Sequence, residues 1–262
     1  MATNGRLRRR SLTASLAAMA VTLPAPGNAT TVVALLDQHH HRIVLADDGL
    51  VGQYYAGTSQ AACKLIVKPD CAFAMAGLLG KPKPYFSLQE LGANACAVPG
   101  SLKEKADAFL TLASDPVNSL AQYLRENEPK FYETFNGNGG EFVYVVFAGV
   151  QDGAPVAYAR GFKIASDGSV NPVSHDITAT GAGGFFAGFN DHIAAYLKAH
   201  PNWAHKDSVA TARKLIELEI AAHPDGVGQP ISILTVDHKG KQKWVEAGAC
   251  PPITGAATKS PD

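Results

Sequence analysis

The sequence lacks any run close to the roughly 18 consecutive apolar residues that a membrane-spanning helix needs, so no span is expected in the mature chain. It also lacks paired CxxC spacing. Its four cysteines, Cys63, Cys71, Cys96 and Cys250, therefore do not read as a zinc site. No long Pro/Ser-rich linker divides the chain, which argues for one domain with a leader and a short tail. Acidic residues are missing from residues 1–29, where Arg6, Arg8, Arg9 and Arg10 carry all the charge. Setting those four arginines aside leaves 19 basic and 23 acidic residues, a net of −4. The remaining chain has no basic field, so nucleic acid is not an expected partner.

The leader itself is informative. Arginines followed by the apolar Ser11–Leu23 and the small residues Gly27-Asn28-Ala29 form the pattern of a secretory signal. The paired arginines ahead of Ser11-Leu12 suggest a twin-arginine variant. The expected compartment is periplasmic or secreted. Translation from Met19 would instead leave a short pro-segment on a cytoplasmic protein. Four cysteines fit an oxidising compartment, with three pairings open, or they are buried thiols.

A cut after Ala29 would make Thr30 an amino terminus. Such a threonine holds a hydroxyl nucleophile and an amine base in one residue. The α-amine has an ordinary pKa of about 8, so much of it is neutral near physiological pH.

The hydrophobic pattern predicts strands over Thr31–Asp37 and Arg42–Ala46, joined by a turn bearing His39, His40 and His41. Consecutive strand residues point to opposite faces, so this triplet reads as a solvated turn rather than a metal site. A polar loop over Leu50–Ala62 precedes strands at Lys64–Val67 and Cys71–Ala76. Leu78–Tyr85 reads as loop. A capping box, Ser101 with Glu104, opens a helix, and Asp115-Pro116 reads as the start of another. After a flexible turn at Asn136–Gly140, strands return at Glu141–Ala148, Pro155–Ile164 and Ile177–Thr180. Gly181-Ala182-Gly183-Gly184 then leads into a helix bearing Phe186, Phe189, Ile193 and Leu197. A second helix carries Val209, Ala212, Ile216 and Ile220, and a hairpin over Ile231–Val236 and Gln242–Val245 follows. This order predicts an α+β fold in which sheet packs on sheet. The expected division is 1–29 leader (signal peptide or pro-segment), 30–250 folded domain and 251–262 flexible tail.

Four short motifs occur in sequence: Thr30-Thr31-Val32-Val33-Ala34, Ala46-Asp47-Asp48-Gly49, Lys64-Leu65-Ile66 and Ala74-Met75-Ala76-Gly77. In this order they resemble the proteasome β-subunit and the bacterial proteasome-like peptidases, within the N-terminal nucleophile (Ntn) hydrolases. The resemblance implies a four-layer αββα sandwich and a threonine protease or amidase that needs no cofactor and no metal. It implies a peptide or other amide as substrate, and homo-oligomeric rings are common in the family. It also implies roles for named residues. Thr30 matches the nucleophile. Lys64 matches the cation that depresses the amine pKa. Asp48 matches the lysine's carboxylate partner, and Gly77 the backbone donor to the oxyanion. Asp225 matches a late aspartate before the last hairpin.

Two departures stand out. The family's Gly-Ser-Gly-Ser turn aligns with Gly181-Ala182-Gly183-Gly184, which puts glycine at 184 in place of serine. The serine three residues past the late aspartate is Gly228. The alternatives are a non-catalytic binding module or subunit on the same scaffold, or an exported small-molecule amidase or acylase.

Overall fold

A computed structural model describes residues 30–51, 60–136, 141–178, 183–203 and 207–253. The expected leader, most of the expected tail, Gly181-Ala182 and nearly all of the Asn136–Gly140 turn lie outside these residues.

Fourteen strands and five helices are present among the described residues, an α+β arrangement. The strands that form the two large sheets are β1 (Thr31–Asp37), β2 (Arg42–Asp48), β5 (Leu65–Lys68), β6 (Cys71–Gly77), β9 (Glu141–Gln151), β10 (Ala154–Ile164), β11 (Val170–Ile177), β12 (Gly184–Gly188), β13 (Ile231–Asp237) and β14 (Gln242–Glu246). One five-stranded sheet runs β12-β1-β2-β13-β14, the other β11-β10-β9-β6-β5. Every pairing in both is antiparallel. Two small ladders complete the strands: β3 (Leu50–Val51) with β4 (Gln60–Ala61), and β7 (Gly80–Pro82) with β8 (Tyr85–Ser87). The helices are α1 (Leu88–Ala97), α2 (Leu102–Asn127), α3 (Pro129–Asn136), α4 (Asp191–Ala199) and α5 (Ser208–Ala222). None is long and apolar enough to cross a membrane.

Strand alternation explains the packing. In β1, Val32, Ala34 and Leu36 join one buried cluster, and Val33 and Leu35 join another. The first cluster lies between the sheets. There the second sheet offers mostly alanine: Ala72, Ala74, Ala76, Ala148, Ala157 and Ala159. These small side chains fill the holes between Val32, Leu45, Leu234 and Val236 of the first sheet. The larger Phe73, Phe147 and Phe162 point the other way, against Phe109, Val117 and Leu120 of α2. Val33, Val44 and Ile233 pack with Ala212, Leu215 and Ile216 of α5.

Several elements differ from the sequence reading. α2 runs unbroken through Pro116, where a new helix start was expected. Its buried stripe, Phe109, Ala113, Val117, Leu120 and Leu124, is continuous across the proline. That burial offsets the roughly 3 kcal/mol an interior proline costs. The capping box is present, with the Glu104 N–H donating to Ser101 Oγ at 3.3 Å. The third late strand is Val170–Ile177, which ends where the expected Ile177–Thr180 begins; residues 179–180 of that expectation lie outside the described residues. The segment expected to begin a helix after Gly184 is strand β12. Its helical spacing of phenylalanines lost to pairing with the exposed edge of β1.

The cysteines form Cys63–Cys250 and Cys71–Cys96, leaving none free. The first joins the residue before Lys64 to the chain beyond the last strand.

Candidate active site

Thr30 stands one residue outside β1 and is buried. Its carbonyl accepts the Phe189 N–H at 3.1 Å. The next residue is held from both sides. The Thr31 N–H donates to Asp48 Oδ1 at 2.7 Å, and the Thr31 hydroxyl donates to the Phe189 carbonyl at 3.1 Å. The Thr30–Thr31 peptide is thus clamped between β2 and the end of β12. Gly188, opposite Thr31, makes the clamp possible. It has φ +81°, and a Cβ there would overlap the Thr30 carbonyl oxygen.

Asp48 is the last residue of β2, and its side chain is fully buried. Register places it opposite Thr31 beyond the Val32–Asp47 pair, and its carboxylate takes the N–H at the end of that ladder. Lys64 immediately precedes β5, where its carbonyl accepts the Met75 N–H at 3.1 Å. Its side chain reaches across to the other sheet, and Nζ donates to Asp48 Oδ1 at 2.9 Å. Asp48 Oδ2 accepts the Leu50 and Gly228 N–H groups, each at 3.2 Å. Four N–H donors therefore converge on one carboxylate. Burial pushes the Asp48 carboxyl up, opposed by the Lys64 ammonium and the Thr31 N–H.

Asp47 has a different environment. Burial raises its pKa to about 8, with Lys64 pulling down and Asp48 adding to the rise. The Ser232 hydroxyl and the Lys64 N–H lie close enough to favour the charged form slightly, yet neither oxygen has a hydrogen bond of good geometry. Two adjacent carboxyls thus face one lysine, and the ion pair belongs to Asp48.

Gly77 closes β6 with φ +84°, and a Cβ there would strike the Phe142 carbonyl. The Leu78 N–H bonds the Phe142 carbonyl at 2.9 Å, so ladder alternation turns the Gly77 N–H away from β9. It points to the β5 side, the side on which Lys64 receives the Met75 N–H. Among the described residues no hydrogen bond uses it.

Two groups near this end went unread in the sequence. The Glu141 carboxylate, at the start of β9, accepts the Gly188 N–H at 2.8 Å and so ties the sheets together beside Thr30. Burial raises Glu141 to about 7 against the pull of that N–H and of Lys163. Tyr144 is buried with its hydroxyl unpartnered, and burial with the Glu141 charge raises its pKa. An acid and a phenol inside otherwise apolar strand patterns were the available signal.

Other expected site residues are not brought here. Asp225 is exposed in the turn after α5, with no hydrogen bond or ion pair to Asp48 or Lys64. In that turn it is the Gly228 backbone that reaches the site. Gly184 pairs with Leu35, near the far end of β1 from Thr30. A side chain there would meet Leu35 and Trp203, so the alignment with the family's amine-side serine fails geometrically. The residue whose backbone lies beside Thr30 is Phe189. Its ring stacks on His223, with centroids 4.3 Å apart. Beyond it, Asp191, His192, Glu219 and His223 gather where α4 begins and α5 ends. Burial would raise Asp191, but its hydrogen bond to His223 and the two nearby imidazoles hold it below the usual carboxylate range.

No family model and no curated protein sequence matches the chain.

Proposed function

We propose that this chain is a threonine-type N-terminal nucleophile hydrolase acting on peptide or other amide bonds. Removal of the leader between Ala29 and Thr30 frees the α-amine. The observation that carries this reading is the single Asp48 oxygen shared by the Lys64 ammonium and the Thr31 N–H. It puts a buried cation one oxygen away from the threonine peptide. In this reading the two sheets and the helices against them are the αββα sandwich implied by the sequence resemblance.

The chemistry runs through this chain's own groups. The Thr30 hydroxyl attacks the amide carbon while the Thr30 amine takes its proton. The Lys64 charge disfavours a second cation nearby, so it keeps the amine neutral and ready to act as a base. The oxyanion accepts from the Gly77 N–H. The protonated amine then passes its proton to the leaving nitrogen as the C–N bond breaks. Water cleaves the resulting ester and restores the threonine. Export to an oxidising compartment fits the leader and the two disulfides.

A second reading, a non-catalytic module on the same scaffold, draws on the exposed Asp225 and on the glycine at 228, where the family has a serine. One experiment separates the two. Intact mass of native protein should place the amino terminus at Thr30. A peptide epoxyketone or β-lactone should then label it covalently, and Thr30→Ala, correctly processed, should abolish labelling. A terminus elsewhere, or labelling that survives Thr30→Ala, ends the hydrolase reading.

A further inference from the structure

Asp191 and His192 open α4, and Glu219 and His223 close α5. One ligand-type atom from each lies within 4.8 Å of all the others. The individual separations are tighter. His223 Nε2 is 3.0 Å from Asp191 Oδ1, and His192 Nδ1 is 3.0 Å from Asp191 Oδ2. Glu219 Oε2 is 3.5 Å from His223 Nε2 and 3.7 Å from His192 Nδ1. Four donors each about 2.05 Å from a central zinc ion stand about 3.3 Å apart at the corners of a tetrahedron. These four spacings, 3.0–3.7 Å with either Asp191 oxygen counted, lie about that value, and all four donors stay within 4.8 Å of one another.

A second observation concerns Glu219. Its side chain has no exposed surface, yet Oε2 lacks a hydrogen-bond partner and faces the two imidazoles. Its other oxygen accepts the Ile193 N–H at 2.7 Å, which fixes the carboxylate's direction. A buried acceptor without a donor is costly unless something positive meets it. Glu219 lies in the last turn of α5, and His223 caps that helix, its N–H donating to the Glu219 carbonyl.

We propose that these four residues form a binding site for a borderline divalent cation, of which zinc is the representative. Two imidazole nitrogens and two carboxylate oxygens suit zinc, whereas calcium and magnesium require oxygen throughout. The ion would clip the start of α4 to the end of α5. Its ligand His223 carries the Phe189 ring, and the Phe189 backbone holds both Thr30 and Thr31. The site stands or falls independently of whether Thr30 is a nucleophile.

Zinc titration calorimetry on chelator-stripped protein without a histidine tag tests this. One zinc per chain is expected, with a melting temperature raised by roughly 5–10 °C at a hundredfold excess over Kd. His192→Ala removes a half-exposed side chain, so the fold should survive. It should weaken zinc by more than about 100-fold, beyond what loss of an outer partner costs. Glu219→Gln and His223→Ala should act in the same direction. Cobalt in place of zinc should give the intense visible bands of tetrahedral coordination. The turn His39–His41, near His238, is the rival locus. Absence of stoichiometric binding overturns the proposal, as does zinc retained in His192→Ala and His223→Ala but lost in His40→Ala.

Discussion

Two large cations are buried among the described residues, and their surroundings differ. Arg160 in β10 is 1 % exposed. Its Nε donates to Asp107 and its Nη1 to Asp176, both at 2.8 Å, and Nη1 also reaches the carbonyls of Ala159 and His175. Its partners stand 44 % and 47 % exposed, so water screens them. The guanidinium also lies 5.3 Å from the Tyr158 ring centroid. Arg160 is a strut joining α2 to β10 and β11, with Nε and Nη1 each held by a carboxylate. Lys64 is as deeply buried, but its carboxylate is buried with it. That same oxygen holds the Thr31 N–H. Burial alone therefore does not mark a functional cation. What distinguishes Lys64 is a dry partner shared with the candidate nucleophile's peptide.

Lys64→Ala should have the largest effect. Labelling of Thr30 by the epoxyketone should slow by roughly 10²–10³, the size of losing one preorganised electrostatic group. Stability should fall by about 3–5 kcal/mol, because the buried Asp48 is left uncompensated. Asp48→Asn should slow labelling less, since the lysine charge remains. Mass-spectrometric labelling rates and denaturant melts read both variants.

Arg160→Met should separate stability from labelling. Stability should drop by about 1–3 kcal/mol, less than for Lys64→Ala, since Asp107 and Asp176 return to water. Labelling at a temperature where the protein is folded should not change. A slowed rate in Arg160→Met would erase the distinction between the two cations.

The smallest effect on labelling belongs to Asp47→Asn. The folded-state pKa of Asp47, about 8, lies above its ordinary value, so the folded protein holds this proton more tightly. That contribution is complete below about pH 4 and is lost as pH rises toward 8. Asparagine keeps the neutral form at every pH. The variant's melting temperature should therefore gain on the wild type between about pH 4 and pH 8 and level off above that, with labelling unchanged. A constant offset across that range would mean that Asp47 is charged in the fold.

Much of this was legible beforehand where one physical signal dominated. Continuous β-branched and apolar runs gave β1, β2, β6 and β13 nearly to the residue, because a strand buried on both faces tolerates little else. The Asp48–Lys64 pair was legible through its motifs. Segments with competing signals were not. Phe186, Phe189 and Ile193 keep helical spacing, yet the first lies in a strand because β1 needed a partner there. That error carried Gly184 to the wrong end of β1. Asp225 was placed by its order in the chain, which says nothing of which way a turn faces. Arg160 was missed because a lone arginine within Tyr158-Ala159-Arg160-Gly161 gives no hint of two aspartates distant in sequence.

Gly188 has no side chain with which to take part in any reaction, yet the Thr30 carbonyl occupies the space that any other residue would fill at this position. The constraint thus acts on the choice of amino acid rather than on a chemical step. If variants at residue 188 were selected for a correctly seated threonine, alanine would be rejected along with tryptophan. The loss would be all-or-none rather than graded with size, since the first carbon already takes the oxygen's place.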